Sequence, residues 1–147
     1  MSLLGLRPDP LTAFRFLVTM EGEPVGAFSE VTGLAAEVEV LEVPEGGENG
    51  FVHKLPGRAK HGNLTLRRGV VTLGLWRWFA EVMAGRPVRR TISVVVLPGA
   101  QPAIPVRFVF DSAVPVRWTG PELKAEQSAV AVETVELAHH GFIVEGP

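Results

Sequence analysis

Four histidines and a few paired charges are the residues with which this sequence could do chemistry. His139-His140 is the one adjacent imidazole pair, and such a pair invites a metal ion. Neighbours on a strand point to opposite faces, so both rings reach one ion only where the chain bends. There is no cysteine, so further ligands would have to come from His53, His61 or carboxylates. Glu37 and Glu39 share one face of a strand, about 6.5–7 Å apart along it, and resemble an acid–base pair only in residue type. The simpler reading is the solvated face of an amphipathic strand. Arg67-Arg68 and Arg89-Arg90 could contact phosphate, but the net charge is −2 and no basic stripe extends either pair. Ion pairing with acidic neighbours fits them better.

The glycine-rich run Gly46-Gly47-Glu48-Asn49-Gly50 has no lysine, and no helix follows it, so it reads as a loop tip and not as a phosphate cradle. The sequence contains no Gly-x-Ser-x-Gly elbow, no His-Glu-x-x-His and no phosphate loop ending in Gly-Lys-Ser/Thr. No catalytic constellation emerges, and no cofactor or metal is implied. A small β-barrel ligand-binding module using His139, His140 and Glu133 is an alternative that rests on residue type alone.

The elements that must position these residues are mostly strands. Thr12 to Met20 alternates, with Phe14, Phe16, Val18 and Met20 on one face. After the turn Glu21-Gly22-Glu23-Pro24 comes a weaker strand, Val25 to Val31. A third covers about Leu34 to Val43, with its phase slipping near Leu41, where a bulge or the end of burial is expected. The loop Pro44 to Gly50 leads to a returning strand at Phe51 to Leu55. Pro56-Gly57 is expected to interrupt it before Asn63 to Arg68 resumes. Val38 to Arg68 thus reads as one long hairpin with an extended tip, and a tip of that length is usually functional or ordered by a partner.

One helix is expected over about residues 72–84. Thr72 is its N-cap, Gly85 its C′ residue, and Pro87 stops it. Leu75, Trp76, Phe79, Val82 and Met83 recur at helical spacing and form the expected core face, with Trp78 on its flank. Strands at Thr91 to Leu97, Val106 to Phe110, Val114 to Trp118 and Ala129 to Ala138 follow. About seven or eight short strands and one helix predict a mainly β fold, a small antiparallel β-barrel or sandwich with one flanking helix.

The 147 residues fit one domain, 1–147, with 1–9 and 143–147 as flexible or interface tails. The hydrophobic fraction is 46% and the charged fraction 20%, so the chain has a large core or hides surface in a partner. The absence of cysteine excludes a disulfide framework and thiolate metal sites. Arg7-Pro8 ends the first apolar run too early for a signal peptide, and no window is long enough for a membrane span.

Read as a string, the chain resembles the tube proteins of contractile phage tails and extracellular contractile injection systems. The resemblance is carried by Asp9-Pro10, Phe14-x-Phe16-x-Val18, Gly26-x-Phe28-x-Glu30-Val31-x-Gly33-Leu34 and Glu45-Gly46-Gly47-x-Asn49. It continues through Lys54-Leu55-Pro56-Gly57-x-x-Lys60, Asn63-Leu64-Thr65-Leu66-Arg67-Arg68-Gly69 and Leu75-Trp76-x-Trp78. Pro115-Val116-Arg117-Trp118-x-Gly120-Pro121 and Glu136-Leu137-Ala138-His139 complete it. The chain departs from the family pattern at Val43-Pro44, where an aromatic and an arginine are usual, and at His61, where an aromatic is usual.

The resemblance implies a structural inner-tube subunit with a tail-tube-like barrel, similar to the tube ring of type VI secretion. Homohexameric rings stack into a hollow tube inside a sheath protein, on baseplate or tube-initiator proteins, with DNA or protein cargo in the channel. Neither a specific nucleic-acid site nor a membrane span is expected. Assembly in the bacterial cytoplasm would precede life as a virion, tailocin or injection particle. The ring-contact loop would comprise Glu45, Gly46, Gly47, Glu48, Asn49 and Gly50 with Lys54 and Lys60. Alternation would put Glu37, Glu39 and Thr65 on the channel wall, where an acidic lining repels polyanionic cargo. A tube initiator or terminator of the same machine is the alternative within the family.

Overall fold

A computed structural model describes residues 15–44, 53–97, 106–123, 125 and 132–146. The expected tip loop at Glu45 to Gly50, the N-terminal tail 1–9 and the start of the first strand at Phe14 lie outside the described residues. Nine strands and one helix are found among the described residues: β1 Phe16–Met20, β2 Glu23–Thr32, β3 Ala36–Val43, β4 His53–His61, β5 Leu64–Val71, α1 Leu73–Met83, β6 Arg90–Val96, β7 Arg107–Thr119, β8 Glu133–Ala138 and β9 Phe142–Glu145.

Six strands run in the order β6-β1-β2-β5-β8-β7, and a further β6–β7 pairing closes them into an antiparallel barrel. Alternation supplies its interior. Val18, Phe28, Leu64, Leu66, Ile92, Val94, Phe110, Val135 and Leu137 are buried, and no charged or polar side chain is buried with them among the described residues. β1 and β2 join through Glu21 (φ 51°) and Gly22 (φ 90°), the two left-handed residues of a type I′ hairpin.

β7 merges the two short strands expected at Val106 to Phe110 and Val114 to Trp118. Ser112 adopts φ 51°, and Asp111-Ser112 together face the single residue Thr91 between the pairs Arg90–Ala113 and Ile92–Phe110. That bulge bends the strand without ending it, so a phase break in the sequence becomes curvature, as closure of a small barrel requires. Most of the segment expected as a flexible or interface tail at 143–147 belongs to a strand. Phe142–Glu145 pairs antiparallel with Arg107–Phe110 as β9, on the side of β7 away from β6.

The helix spans Leu73–Met83 behind Thr72, whose side chain makes no capping hydrogen bond. Its C-terminus is a Schellman turn. Gly85 (φ 88°) donates to the Val82 carbonyl, and Arg86 donates to that of Glu81. The buried stripe is rotated about 60° from the expected core face. Leu75 and Trp78 are buried, and Val82 packs against the core. Trp76 and Phe79 are only partly buried, and Met83 is 59% exposed. Trp78 wins the central position because its one polar atom has a partner there: Nε1–H donates to the Val88 carbonyl at 2.6 Å. Trp76 instead stacks on Trp118, with ring centroids 4.9 Å apart.

Glu133 closes the end of the β5–β8 ladder. Its carboxylate accepts the Val71 N–H at 2.7 Å and the Trp118 Nε1–H at 3.2 Å. Glu133→Ala strands both donors and should lower stability by about 1–3 kcal/mol in urea unfolding. Gly33 (φ 91°) is tighter still, because a Cβ there would lie 2.0 Å from the Asn63 carbonyl oxygen, whereas Gly22 has open space around it. Gly22→Ala should cost only the left-handed backbone term, about 1–2 kcal/mol. Gly33→Ala adds the overlap and should cost about 1–3 kcal/mol more, read in the same unfolding measurement.

Candidate functional site

β3 and β4 form a separate two-stranded sheet that stands off the barrel as an arm. The expected long hairpin is real, and its register shows how the arm grows from the barrel. The pairs Gly26–Val71, Thr32–Thr65, Ala36–His61 and Val38–Ala59 all keep one register. β2 therefore continues into β3, and β4 into β5, across the short connectors 33–35 and 62–63. Pro56-Gly57 does not break β4. A bulge sits there instead, with Gly57-Arg58 opposite the single residue Glu39, and the register slips before Val40–Pro56 and Leu41–Leu55 pair. The slip lies close to the phase change expected near Leu41.

The bulge has a consequence for the surface. Alternation puts Ala36, Val38 and Val40 with Ala59 and Pro56 on one face of the arm. Leu41 and Val43 with Leu55 lie on the other, beyond Glu37 and Glu39. Apolar surface thus changes face part-way along the ribbon. Every residue of β3 is exposed, including Val40 at 59% and Leu41 at 47%, so the burial that alternation suggests is absent in the single chain. An isolated two-stranded ribbon is marginal in water. Covering five half-exposed aliphatic side chains would contribute about 1 kcal/mol each.

The charged positions are cross-strand pairs. Lys60 lies directly opposite Glu37, and Lys54 opposite Glu42. The Glu37/Glu39 face is therefore of mixed charge. Thr65 lies on the barrel and not on the arm, paired with Thr32 on one side and Glu136 on the other. Arg117 of β7 in turn approaches Glu136 at 3.9 Å, and Arg68 approaches Glu30 at 3.5 Å. Both arginine clusters thus stand among carboxylates, as the charge balance suggests. Arg90 is 3.7 Å from Glu21, and Arg89 donates to the Ser112 carbonyl.

The alternative site of His139, His140 and Glu133 is not assembled. Glu133 begins β8 and His139 follows its end, about 20 Å apart by strand rise. No group of three or more His, Asp or Glu side chains among the described residues could hold a metal ion. No described helix is long and apolar enough to cross a membrane.

Sequence reasoning missed the joint between arm and barrel. His61 ends β4 and meets His139 and Phe142 edge-on, with centroids 5.6 and 5.7 Å away. Asn63 donates from its side chain to Glu136 at 2.7 Å. The signal was present as the Gly33 break in one strand and Gly62-Asn63 in its partner, two interruptions that face each other.

Comparison with known proteins agrees with this architecture. A chain of the baseplate of the anti-feeding prophage is 29% identical, with a TM-score of 0.65 over 95% of this chain and 98% of that one. A chain of the sheath–tube complex of the PVC extracellular contractile injection system is 23% identical, with a TM-score of 0.70 over 100% and 99%. A chain of the PVC sheath/tube terminator is 25% identical, with a TM-score of 0.69 over 95% and 97%. No protein of curated function matches the sequence. The family model described as T4-like virus tail tube protein gp19 matches residues 12–143, and the chain, a closed barrel with an uncovered arm, belongs to that tail tube family.

Proposed function

We propose that this chain is the repeating inner-tube subunit of a contractile tail or injection system. Six copies form a ring, and rings stack into a hollow tube within a sheath that drives it through a target envelope. The observation that carries this reading is the arm, a ribbon with apolar side chains on both faces and nothing among the described residues to cover them. Cover on two faces calls for two neighbours, which a stacked ring supplies, and head-to-tail contacts of one surface with another generate open filaments. The role is structural and not enzymatic.

Within this reading Glu45 to Gly50, Lys54 and Lys60 meet an adjacent copy. Glu37, Glu39 and Thr65 face the channel, whose wall then carries both signs of charge, with Lys60 and Arg117 beside the carboxylates. Such a wall holds neither polyanions nor polycations tightly, which suits the passage of DNA or protein cargo. Sheath and baseplate proteins are the further partners, and assembly precedes release of the particle from the bacterial cytoplasm.

A second reading keeps the machine and changes the job. Similarity to chains of a baseplate and of a terminator complex supports a tube initiator or terminator. Copy number per particle separates the two, since a repeating subunit outnumbers an end ring many times over.

Negative-stain microscopy of the purified chain should reveal six-fold rings or hollow tubes. A monomer at every concentration, with or without a baseplate template, would count against the tube role. Val40→Asp with Leu41→Asp should leave unfolding within about 0.5 kcal/mol of the parent, because both side chains are exposed in the single chain. The same pair should abolish rings. Deleting Glu45 to Gly50 should leave the barrel folded and weaken stacking. Cysteines placed at Glu37 and Thr65 should resist a bulky maleimide in intact tubes and react in the free chain.

A further inference from the structure

His139 sits where the arm meets the barrel. β8 ends beside it, and the chain turns through His140 and Gly141 (φ 134°) into β9. The Gly141 N–H donates to His139 Nδ1 at 3.0 Å. That nitrogen must be unprotonated, since a proton on it would set two donors face to face. Nε2 is buried and has no hydrogen-bond partner among the described residues. Phe110 closes one side of the ring, with centroids 4.9 Å apart, and His61 arrives from the arm at 5.6 Å. A Cβ at Gly141 would lie 3.3 Å from the His61 ring, so the bare glycine gives that ring its seat.

The electrostatic surroundings favour a neutral His139 ring. Burial holds His139 below the ordinary histidine value of 6.5, and His61 of β4 and His140 of the turn push the same way. The backbones of Gly62 and Gly141 work in the other direction and are outweighed, burial being the largest effect. From β7, Asp111 lines an open groove of about 460 Å³ together with His61 and His140, and His139 lies outside that lining. β6 presents only Thr91 to the groove. On β8, Glu136 is already engaged by Asn63 and Arg117. Among the described residues, no carboxylate therefore stands ready to balance a charge on His139.

We propose that His61 and His139 form a latch that fixes the arm on the barrel while the His139 imidazole is neutral, and that acid opens it. Protonation of His139 breaks the Gly141 bond and buries an unpaired charge against Phe110. His61, arriving from the arm, opposes a charge on the neighbouring His139 ring. The sign follows from the direction of the shift. The latch is at full strength above the ordinary value of 6.5 and is lost as pH falls through the lower folded-state value. That acid would also loosen contacts between copies rests on the tube reading.

Hydrogen exchange on the unassembled full-length chain, corrected for intrinsic rates, tests the latch. Between about pH 7.5 and about pH 5.5, protection of residues 36–43 and 53–61 should fall by up to about tenfold, while β1 and β6 change less. His61→Phe keeps the edge contacts without the charge, and His139→Gln offers a carbonyl oxygen to the Gly141 N–H. The double variant should hold the arm equally at both pH values, and His61→Phe alone should reduce the drop. Equal protection of the parent arm at both pH values would overturn the latch. So would a drop that persists undiminished in His61→Phe. The measurement needs no tube, so failure of the latch and failure of ring formation are read separately.

Discussion

A six-stranded sheet closed by the β6–β7 pairing has no place for two more strands. That closure is the constraint from which the rest of the molecule follows. The interior is filled by one layer of aliphatic and aromatic side chains from the six strands, with Leu75 and Trp78 of the helix packed onto it. Strands that continue past the barrel rim must therefore leave it. β3 and β4 do so together, still paired in the register set by β2 and β5, and so carry their alternation out into solvent. The energy that would ordinarily come from burying one face of a ribbon is left unused in the single chain.

The joint is accordingly the most constrained part of the backbone. Gly33 lies against the Asn63 carbonyl so closely that no other residue fits. Asn63 is tied to Glu136, and His61 rests over Gly141 between two aromatic rings. These contacts come from the barrel wall and not from its core, so they orient the arm without adding to the central packing. In the proposed tube, rigidity at the joint would matter, because a ribbon already held in its binding orientation loses less freedom on association.

Much of the fold was legible because the barrel obeys period two and the helix carries both of its end signals. Thr72 and Gly85 fix α1 within a residue at each end. The long hairpin was legible too, but the interruption expected at Pro56-Gly57 is a bulge that preserves pairing. What alternation does not say is what covers a face. Val38 and Val40 look like Ile92 and Val94 in sequence, yet the first two are exposed and the last two buried. The helix stripe was misplaced for a related reason. Spacing counts apolar residues equally, and it cannot see that the Trp78 indole finds the Val88 carbonyl. β9 escaped notice because four residues after a glycine carry too little pattern, and its pairing partners lie 32 to 38 residues back in β7.

The charged rungs of the arm act on a different problem. A ribbon with two open edges and exposed aliphatic side chains is a ready template for sheet growth between free chains, the route to amyloid-like aggregates. Glu37 opposite Lys60 and Glu42 opposite Lys54 bracket the aliphatic stretch on both faces. In-register stacking of two arms, strand upon like strand, would set carboxylate on carboxylate and ammonium on ammonium at both rungs. A stacked ring has no reason to align identical strands and escapes that penalty. The same four side chains that look ornamental in one copy thus discourage a disordered fibre while leaving ordered growth open.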